Sequence, residues 1–501
     1  MLGRMVLSWK DGLNALVAEG IEAIVFRTVG DQCSLWESIL PEELQRLPEE
    51  LARVDALLDD EAFFAPFVPF FDPRIGRPST PMETYLRLIF LKFRYRLGYE
   101  SLCREVADSI TWRRFCRIPL DGAVTHPTTL MKLTTRCGSA AIDGLNEALL
   151  AKAAEAKLLR TNRIRADTTV VSANVAYPTD SGLLAKAIRR IAATGKRIQA
   201  AGGAVGTQVR DRSRSVGKRA HAIAAKLRMR SGREEAQAVV VRVTGELAEL
   251  AATAADEAQR LLINAKRALC RAQAKADALR KRGIYDAAAG RRRGRLTRAV
   301  NDLTKLLEAT RQIVAQTRQR VAGHTPDGTT RRVSLHDPDA RPIAKGRLGR
   351  PVEFGHKAQV VDNIDGIVLD HSVEQGNPAG APQLAPAVAR VTKRTGCTPG
   401  TVTADRGYGE AKVDNQLTEL GVKNVVIPRK GKPSQARRAE EHRHAFRRIV
   451  KWRTGSEGRI SYLKRGYGWD RTRIDTTEGA RIWTGHGVLA HNLVKVSALA
   501  A

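Results

Sequence analysis

The 501-residue sequence is short of acid, of paired cysteines and of long apolar runs. No stretch of about 18 apolar residues occurs, which excludes an apolar membrane-spanning helix. The six cysteines, Cys33, Cys103, Cys116, Cys137, Cys270 and Cys397, form no Cys-x-x-Cys pair. Such scattering argues against a disulfide framework or a zinc site and favours a reducing cytoplasm. Met1 to Lys10 lacks a charged segment followed by an apolar one, so export is not expected. Asp and Glu number 53 against 84 Lys and Arg, a formal charge of +31. With 43% hydrophobic residues the chain is foldable, so this charge is not that of a disordered tail. A polyanion is the partner that such a field selects.

Proline and tryptophan are missing from the whole stretch between Pro178 and Pro326. Within it, Lys186 to Arg320 holds 32 basic and 11 acidic residues, a net of +21 and two-thirds of the excess charge. Apolar residues recur at alternating steps of four and three, as in Leu247, Ala251, Ala254, Ala258, Leu261 and Ala265. The pattern predicts several long amphipathic helices in an antiparallel hairpin or small bundle. Breaks are expected at Gly202–Gly203, at Gly217 and at Gly290–Gly294. Composition fits both a solvated structural spacer and a DNA-contacting or dimerising insertion.

Residues 62–75 carry Phe63, Phe64, Pro66, Phe67, Pro69, Phe70, Phe71 and Pro73, a packed connector rather than a flexible linker. Ser79 or Thr80 with Pro81 and Glu83 then marks a helix start over Met82–Arg96. A turn at Gly98 precedes a second helix over Tyr99–Ser109 and a third near Thr111–Cys116. Three short helices with a glycine turn suit a helix-turn-helix-like DNA-binding unit, although small helical domains of other function share the pattern. Arg94, Arg96, Arg104, Arg113 and Arg114 fall where a recognition helix and its flanks would lie.

Period-two alternation begins at residue 163. Arg163–Val171 reads as a strand containing Asp167; Gly355–Asp362 and Gly366–Val373 read as two strands joined by a tight turn. Gln383–Arg394 reads as a helix in which Pro386 is tolerable only in the first turn. Thr401–Ala404 is a short strand ending on Asp405, followed by a helix over Lys412–Leu420 and a strand over Asn424–Ile427. With the helical insertion removed, this is an α/β core of mixed sheet and helices. A carboxylate inside a strand is costly unless paired or metal-bound, and a strand end is where an α/β sheet places ligands. Asp167 and Asp405 together suit a divalent metal that must also coordinate phosphate oxygens. A third acid, Glu457, lies in a basic helical segment with Arg453 four residues before it and Lys464 seven after, all on one face. Glu441, Asp470, Asp475 and Glu478 are its competitors, but none of them has both flanking cations. A surface ion-pair ladder is the plain structural alternative for Arg453 and Glu457.

These blocks closely resemble the DDE transposases of bacterial insertion sequences. RPSTPMETYLRLIFLKFRYRLGYE onward, from Arg77 to Gly138, resembles their N-terminal helical domain. ADTTVVSANVAYPTDSGLL (Ala166–Leu184) resembles the strand bearing the first catalytic Asp. GRLGRPVEFGHKAQVVDN, VTADRGYG and the segment around Glu457 resemble the rest of the core. The resemblance implies an RNase H-like α/β core, with an all-α N-terminal domain and a long helical insertion between the first and second core strands. It divides the chain into an extension and connector (1–75), a helical DNA-binding domain (76–155), the catalytic core (156–184 with 325–501) and the basic insertion (185–324). It implies that Asp167, Asp405 and Glu457 are catalytic and hold two Mg²⁺ ions, for which Mn²⁺ substitutes. Arg453 and Lys464 then contact DNA phosphates. Relatives carry a tyrosine seven residues before the Glu; here that position is Val450. The activity implied is cleavage at element ends and strand transfer to target DNA, by a homodimer or higher assembly, in the cytoplasm at the nucleoid. The alternatives are an RNase H-like nuclease or resolvase without strand transfer, or a catalytically idle DNA-binding relative.

Overall fold

The computed structural model describes residues 24–27, 40–73, 76–229, 232–347 and 350–500. Cys33, the Met1–Lys10 stretch and much of the 1–75 extension lie outside them. The described residues form two units: one from residues up to Ser172 with Lys357–Glu374 and from Pro378 on, the other from Ala173–His356 with Gln375–Asn377.

The first unit opens with a short parallel pair, β1 (Ile24–Val25) and β2 (Arg77–Pro78). Helices α1 (Glu42–Gln45), α2 (Glu49–Leu58), α3 (Met82–Arg94), α4 (Tyr99–Asp108), α5 (Ile110–Phe115) and α6 (Pro127–Glu155) follow. Helix α3 is buried along nearly its whole length. One of its buried charges, Arg87, is satisfied by Asp55 at 2.6 Å and Asp59 at 2.7 Å. Helix α6 is kinked at Gly138 (φ +65°), and Glu478 accepts from the Ser139 N–H at 2.7 Å and its hydroxyl at 2.9 Å, which satisfies the donors that the kink frees.

The unit's sheet has the order β5–β3–β7–β8, with β6 against β5. Its strands are β3 (Arg163–Ser172), the end of β5 (Arg350–Asn363), β6 (Val368–Gln375), β7 (Thr401–Ala404) and β8 (Asn424–Val426). Strands β3, β7 and β8 are parallel, and β7 is buried at all four positions, as a central parallel strand must be. Around it lie α11 (Ala381–Thr395), α12 (Ala411–Glu419), α13 (Gln435–His442), α14 (His444–Arg453), α15 (Gly455–Gly466) and α16 (Thr476–Leu499). Pro386 sits beyond the first turn of α11, further into the helix than its missing N–H suggested.

Helix α16 is buried on all sides from Ile482 to Leu493, and it joins the sheet to the N-terminal helices in one hydrophobic core. Its polar residues are put to use: Asn492 accepts from the Val368 N–H at 3.0 Å and donates to the Val368 carbonyl at 2.8 Å. The ring of His491 bonds the Gly366 carbonyl at 2.9 Å, and burial pushes its pKa down to about 3. A side chain at Gly485 would collide with Ile142 of α6, so glycine lets the two helices meet closely.

The second unit is helical, with a small antiparallel pairing of β4 (Arg341–Arg347) on the first part of β5. Helices α7 (Asp180–Ala200), α8 (Ser213–Leu227), α9 (Arg233–Lys281) and α10 (Ala287–Val321) share a separate core. The chain does turn after Gly202. Gly217, Gly290 and Gly294, however, lie inside helices, and the other breaks follow Leu227 and Lys281. A side chain at any of these three glycines would meet nothing within 4 Å. A single exposed glycine costs a helix only about 1 kcal/mol, less than long packed helices recover. The buried face of α9 is mostly alanine, including Ala248, Ala251, Ala254, Ala255 and Ala258, which lets α7 and α10 pack closely against it. Ala251 is fully buried, so Ala251→Leu should overpack this face and cost about 1–3 kcal/mol, read as a lower urea midpoint.

Candidate active site

Strands β3 and β7 pair in parallel with Ala166 opposite Ala404, so Asp167 and Asp405 follow side by side on neighbouring strands. Asp167 is half-buried inside its strand, whereas Asp405 is exposed just past the end of β7. One Asp167 oxygen accepts from the Thr168 N–H at 2.7 Å. The other accepts from the Ser456 hydroxyl at 3.1 Å and from Arg453 at 3.4 Å. Burial raises the Asp167 pKa and the nearby Asp405 raises it further, while Thr168, Arg453 and Ser456 pull it back only in part. Tyr408 lies beside both acids; burial and the two carboxylates push its phenol well up, and its oxygen accepts from Gln359 at 3.1 Å.

Residues of α14 and α15 reach this strand because of an ion pair that no sequence pattern pointed to. On β3, Arg165 lies two residues before Asp167 and so on the same face. Its Nε and Nη2 donate to Asp362 on β5 at 2.9 and 2.8 Å, and both side chains are almost fully buried. Its Nη1 donates to the Trp452 carbonyl at the end of α14 at 2.8 Å, and the guanidinium stacks 4.7 Å from the Trp452 ring. Arg459 of α15 joins the same carboxylate at 3.4 Å. Gly455 opens α15 directly against Arg165, where any side chain would collide with the guanidinium. This explains a glycine at a helix start that propensity disfavours. The alternation Arg-x-Asp within RIRAD was the available signal for Arg165; nothing local marked Asp362 or Ser456.

Glu457 lies on the first turn of α15, next to Ser456. It is exposed and stands 3.8 Å from Arg453, which thus sits between Asp167 and Glu457. Lys464 lies two turns further along the same helix. Three competing acids have other partners: Glu441 accepts from the Arg429 N–H at 2.8 Å, Asp470 pairs with Arg96 at 3.0 Å, and Glu478 caps the kink of α6.

Comparisons with known proteins identify the family. Residues 326–493 match the family described as a transposase DDE domain, and residues 40–136 match a transposase domain (DUF772). Together the two matches span just over half of the chain. The chain belongs to the insertion-sequence DDE transposases. It is also similar to an uncharacterized protein of Rhizobium meliloti, ORF8 in the nfe locus, at 25% identity over 154 residues, 30% of this chain and 74% of that one. No solved structure matches significantly.

In this transposase the aspartate pair suits a divalent cation, since a carboxylate that burial and a neighbouring carboxylate both push towards its protonated form is what a bound cation relieves. Among the described residues, no three His, Cys, Asp or Glu side chains lie close enough together to hold a metal. Glu457 therefore completes a three-acid set only by moving from its Arg453 contact. Among the described residues, no helix is long and apolar enough to cross a membrane.

Several of the arginines expected at DNA are occupied within the fold. Arg94 makes two bonds to Glu50 at 2.8 and 2.9 Å, and Arg96 binds Asp470 and the Arg465 carbonyl. Arg113 donates to the carbonyls of Ala107, Pro119, Leu120 and Gly122, clamping the loop after α5. Arg104 is 70% exposed with only a 3.7 Å contact to Glu105, and Arg114 is half-buried on α5. Helix α5 has six residues, less than two turns, so a long recognition helix is absent there.

Two outcomes follow from this geometry. Arg165→Leu leaves the buried Asp362 with only its longer contact to Arg459, and should cost about 3–5 kcal/mol in urea unfolding. Asp167→Asn should raise the melting temperature at neutral pH. An acid whose folded pKa is raised stabilises the fold only while protonated, and that stability is lost as pH rises through the folded value. The asparagine stays neutral, so its advantage should shrink to nothing in melts run down into the ordinary carboxylate range.

Proposed function

We propose that this transposase binds the ends of its element, cuts them and joins the freed 3′-hydroxyls to target DNA, with Asp167, Asp405 and Glu457 as the catalytic acids. The observation that carries the reading is the placement of Asp167, inside β3, beside Asp405, just past the end of the parallel strand β7, with Ser456 at the start of the helix that bears Glu457 bonded to Asp167. The chemistry needs no energy source: each transfer breaks one phosphorus–oxygen bond and forms another. Asp167 and Asp405 would hold Mg²⁺, or Mn²⁺ in its place, with Glu457 as the third ligand. The cation supplies charge for the attacking and leaving oxygens.

The chain's own groups do the rest. Ser456 and the Thr168 N–H fix the Asp167 carboxylate in one orientation. Arg453 lies between Asp167 and Glu457 and offsets part of their charge. Arg453 and Lys464, on the same side as these acids, would contact backbone phosphates through charge-assisted bonds. End recognition is assigned to the N-terminal helices, with Arg104 and Arg114 as the arginines left for DNA. Assembly as a homodimer or larger, and work at the nucleoid, belong to the same reading.

Cleavage and joining assays on terminal-end duplexes test it. Asp167→Asn, Asp405→Asn and Glu457→Ala should each cut at well under a tenth of the normal rate while duplex binding stays near normal, because loss of a metal-ligating acid costs far more than one decade. A Glu457→Ala protein that cuts above that level overturns the third assignment. Cutting by the unaltered protein without any joined product overturns strand transfer in favour of a nuclease or resolvase.

A further inference from the structure

The helical unit ends in an arm that has no core. Along α9 the last buried residue is Ala265, and along α10 the first is Leu296; none of the residues between them is buried. From Ala265 to Lys281 this part of α9 extends about 24 Å at 1.5 Å per residue. Residues 266–295 hold eleven Lys or Arg and two acids, Asp277 and Asp286. Both acids are engaged locally: Asp277 accepts from Gln273, and Asp286 caps the start of α10.

The contrast with the packed part of the same unit is what points to a partner. There several arginines have acids, among them Arg318 with Glu249, Arg212 with Glu257, Arg219 with Glu246 and Arg197 with Asp302. Among the described residues, none of the eleven cations of the arm is in an ion pair. A hairpin kept only for length would gain solubility from mixed charge and lose stability from this repulsion. At the apex, between these cations, two large side chains face solvent: Ile284 at 49% exposure and Tyr285 at 86%. Gly290 and Gly294 lie one turn apart on α10 with open space beside them, so a partner's backbone can come close to the helix there. Unpaired cations line both sides of an exposed apolar and aromatic tip. That combination fits duplex DNA, with phosphates along the flanks and an apolar wedge at a base step or sugar edge.

We propose that the tip of this arm, residues 266–295, is a sequence-independent duplex-DNA contact, separate from the catalytic acids and from the N-terminal helices. It rests on the reading of the chain as a DNA-acting transposase, and the test separates the two.

The full-length protein is titrated with a roughly 30-base-pair random duplex across a salt series, by fluorescence anisotropy. The variant carries glutamine at Arg280, Lys281, Arg282, Arg291, Arg292 and Arg293, a change that keeps helix propensity and touches no buried residue. Its Kd should rise at least tenfold near 0.1 M salt, and its log–log salt slope should flatten by roughly three, at about 0.9 for each phosphate that the variant no longer neutralises. Its melting temperature should hold or rise, since the change relieves like-charge repulsion. Tyr285→Ala should weaken binding about three- to tenfold at an unchanged salt slope, with Tyr285→Phe restoring it. A glutamine variant with the Kd and slope of the parent overturns the arm proposal and leaves the transposase reading standing; a parent that binds no duplex overturns both. Arm-dependent binding to vesicles one-third phosphatidylserine, as tight as to duplex, overturns the choice of DNA in favour of a lipid surface.

Discussion

The buried pair of Arg165 and Asp362 organises the catalytic half of the molecule. Two charges out of water give little net stability by themselves, and their worth lies in what else they hold. Asp362 ties β5 to β3 through Arg165 and to α15 through Arg459, while the same Arg165 grips the last turn of α14 through a carbonyl and a ring face. The acids beside it inherit their positions. Asp167 is two residues along the same strand, Ser456 is one residue past the glycine that abuts the guanidinium, and Glu457 follows. The candidate site is thus positioned by a buried cation two residues away on the same strand.

That arrangement explains which parts of the protein could be read from the sequence. Strand β7 announced itself through Thr401–Ala404, since a run of β-branched residues closed by Asp-Arg-Gly reads as a buried strand and a turn. Helix α3 did so through its proline-led start, and the adjacency of Asp167 and Asp405 followed from ordinary parallel pairing. Arg165 was present in the alternation but passed as one more cation in a chain with 84. Asp362 closed a strand without any local mark, and its partner lies 197 positions away. Contacts of that reach leave no period or spacing for a reader to find.

Charge counts hide what each cation already holds. The arginines around α4 and α5 look like a nucleic-acid surface when counted, and in the fold Arg94 binds Glu50 and Arg113 collects four carbonyls. The insertion shows the converse, because its count concealed a division between packed helices on which several cations are paired and an arm beyond Ala265 on which none is in an ion pair among the described residues. Glycine was deceptive there for a related reason. Gly290 and Gly294 disrupt nothing on a face where no side chain was needed, whereas Gly455 and Gly485 are required because something else occupies the space.

Helix α16 has a consequence for how the molecule is made. It fills the core beneath α3 and α6, and Glu478 just inside its first turn caps the kink of α6, yet it leaves the ribosome about 320 residues after α6 ends. At usual synthesis rates, the N-terminal helices wait on the order of tens of seconds for the surface that completes them. Throughout that interval their apolar faces are open to chaperones and proteases. A nascent chain that stalls before residue 476 therefore carries an unfinished N-terminal layer, although every strand of the sheet has already been made.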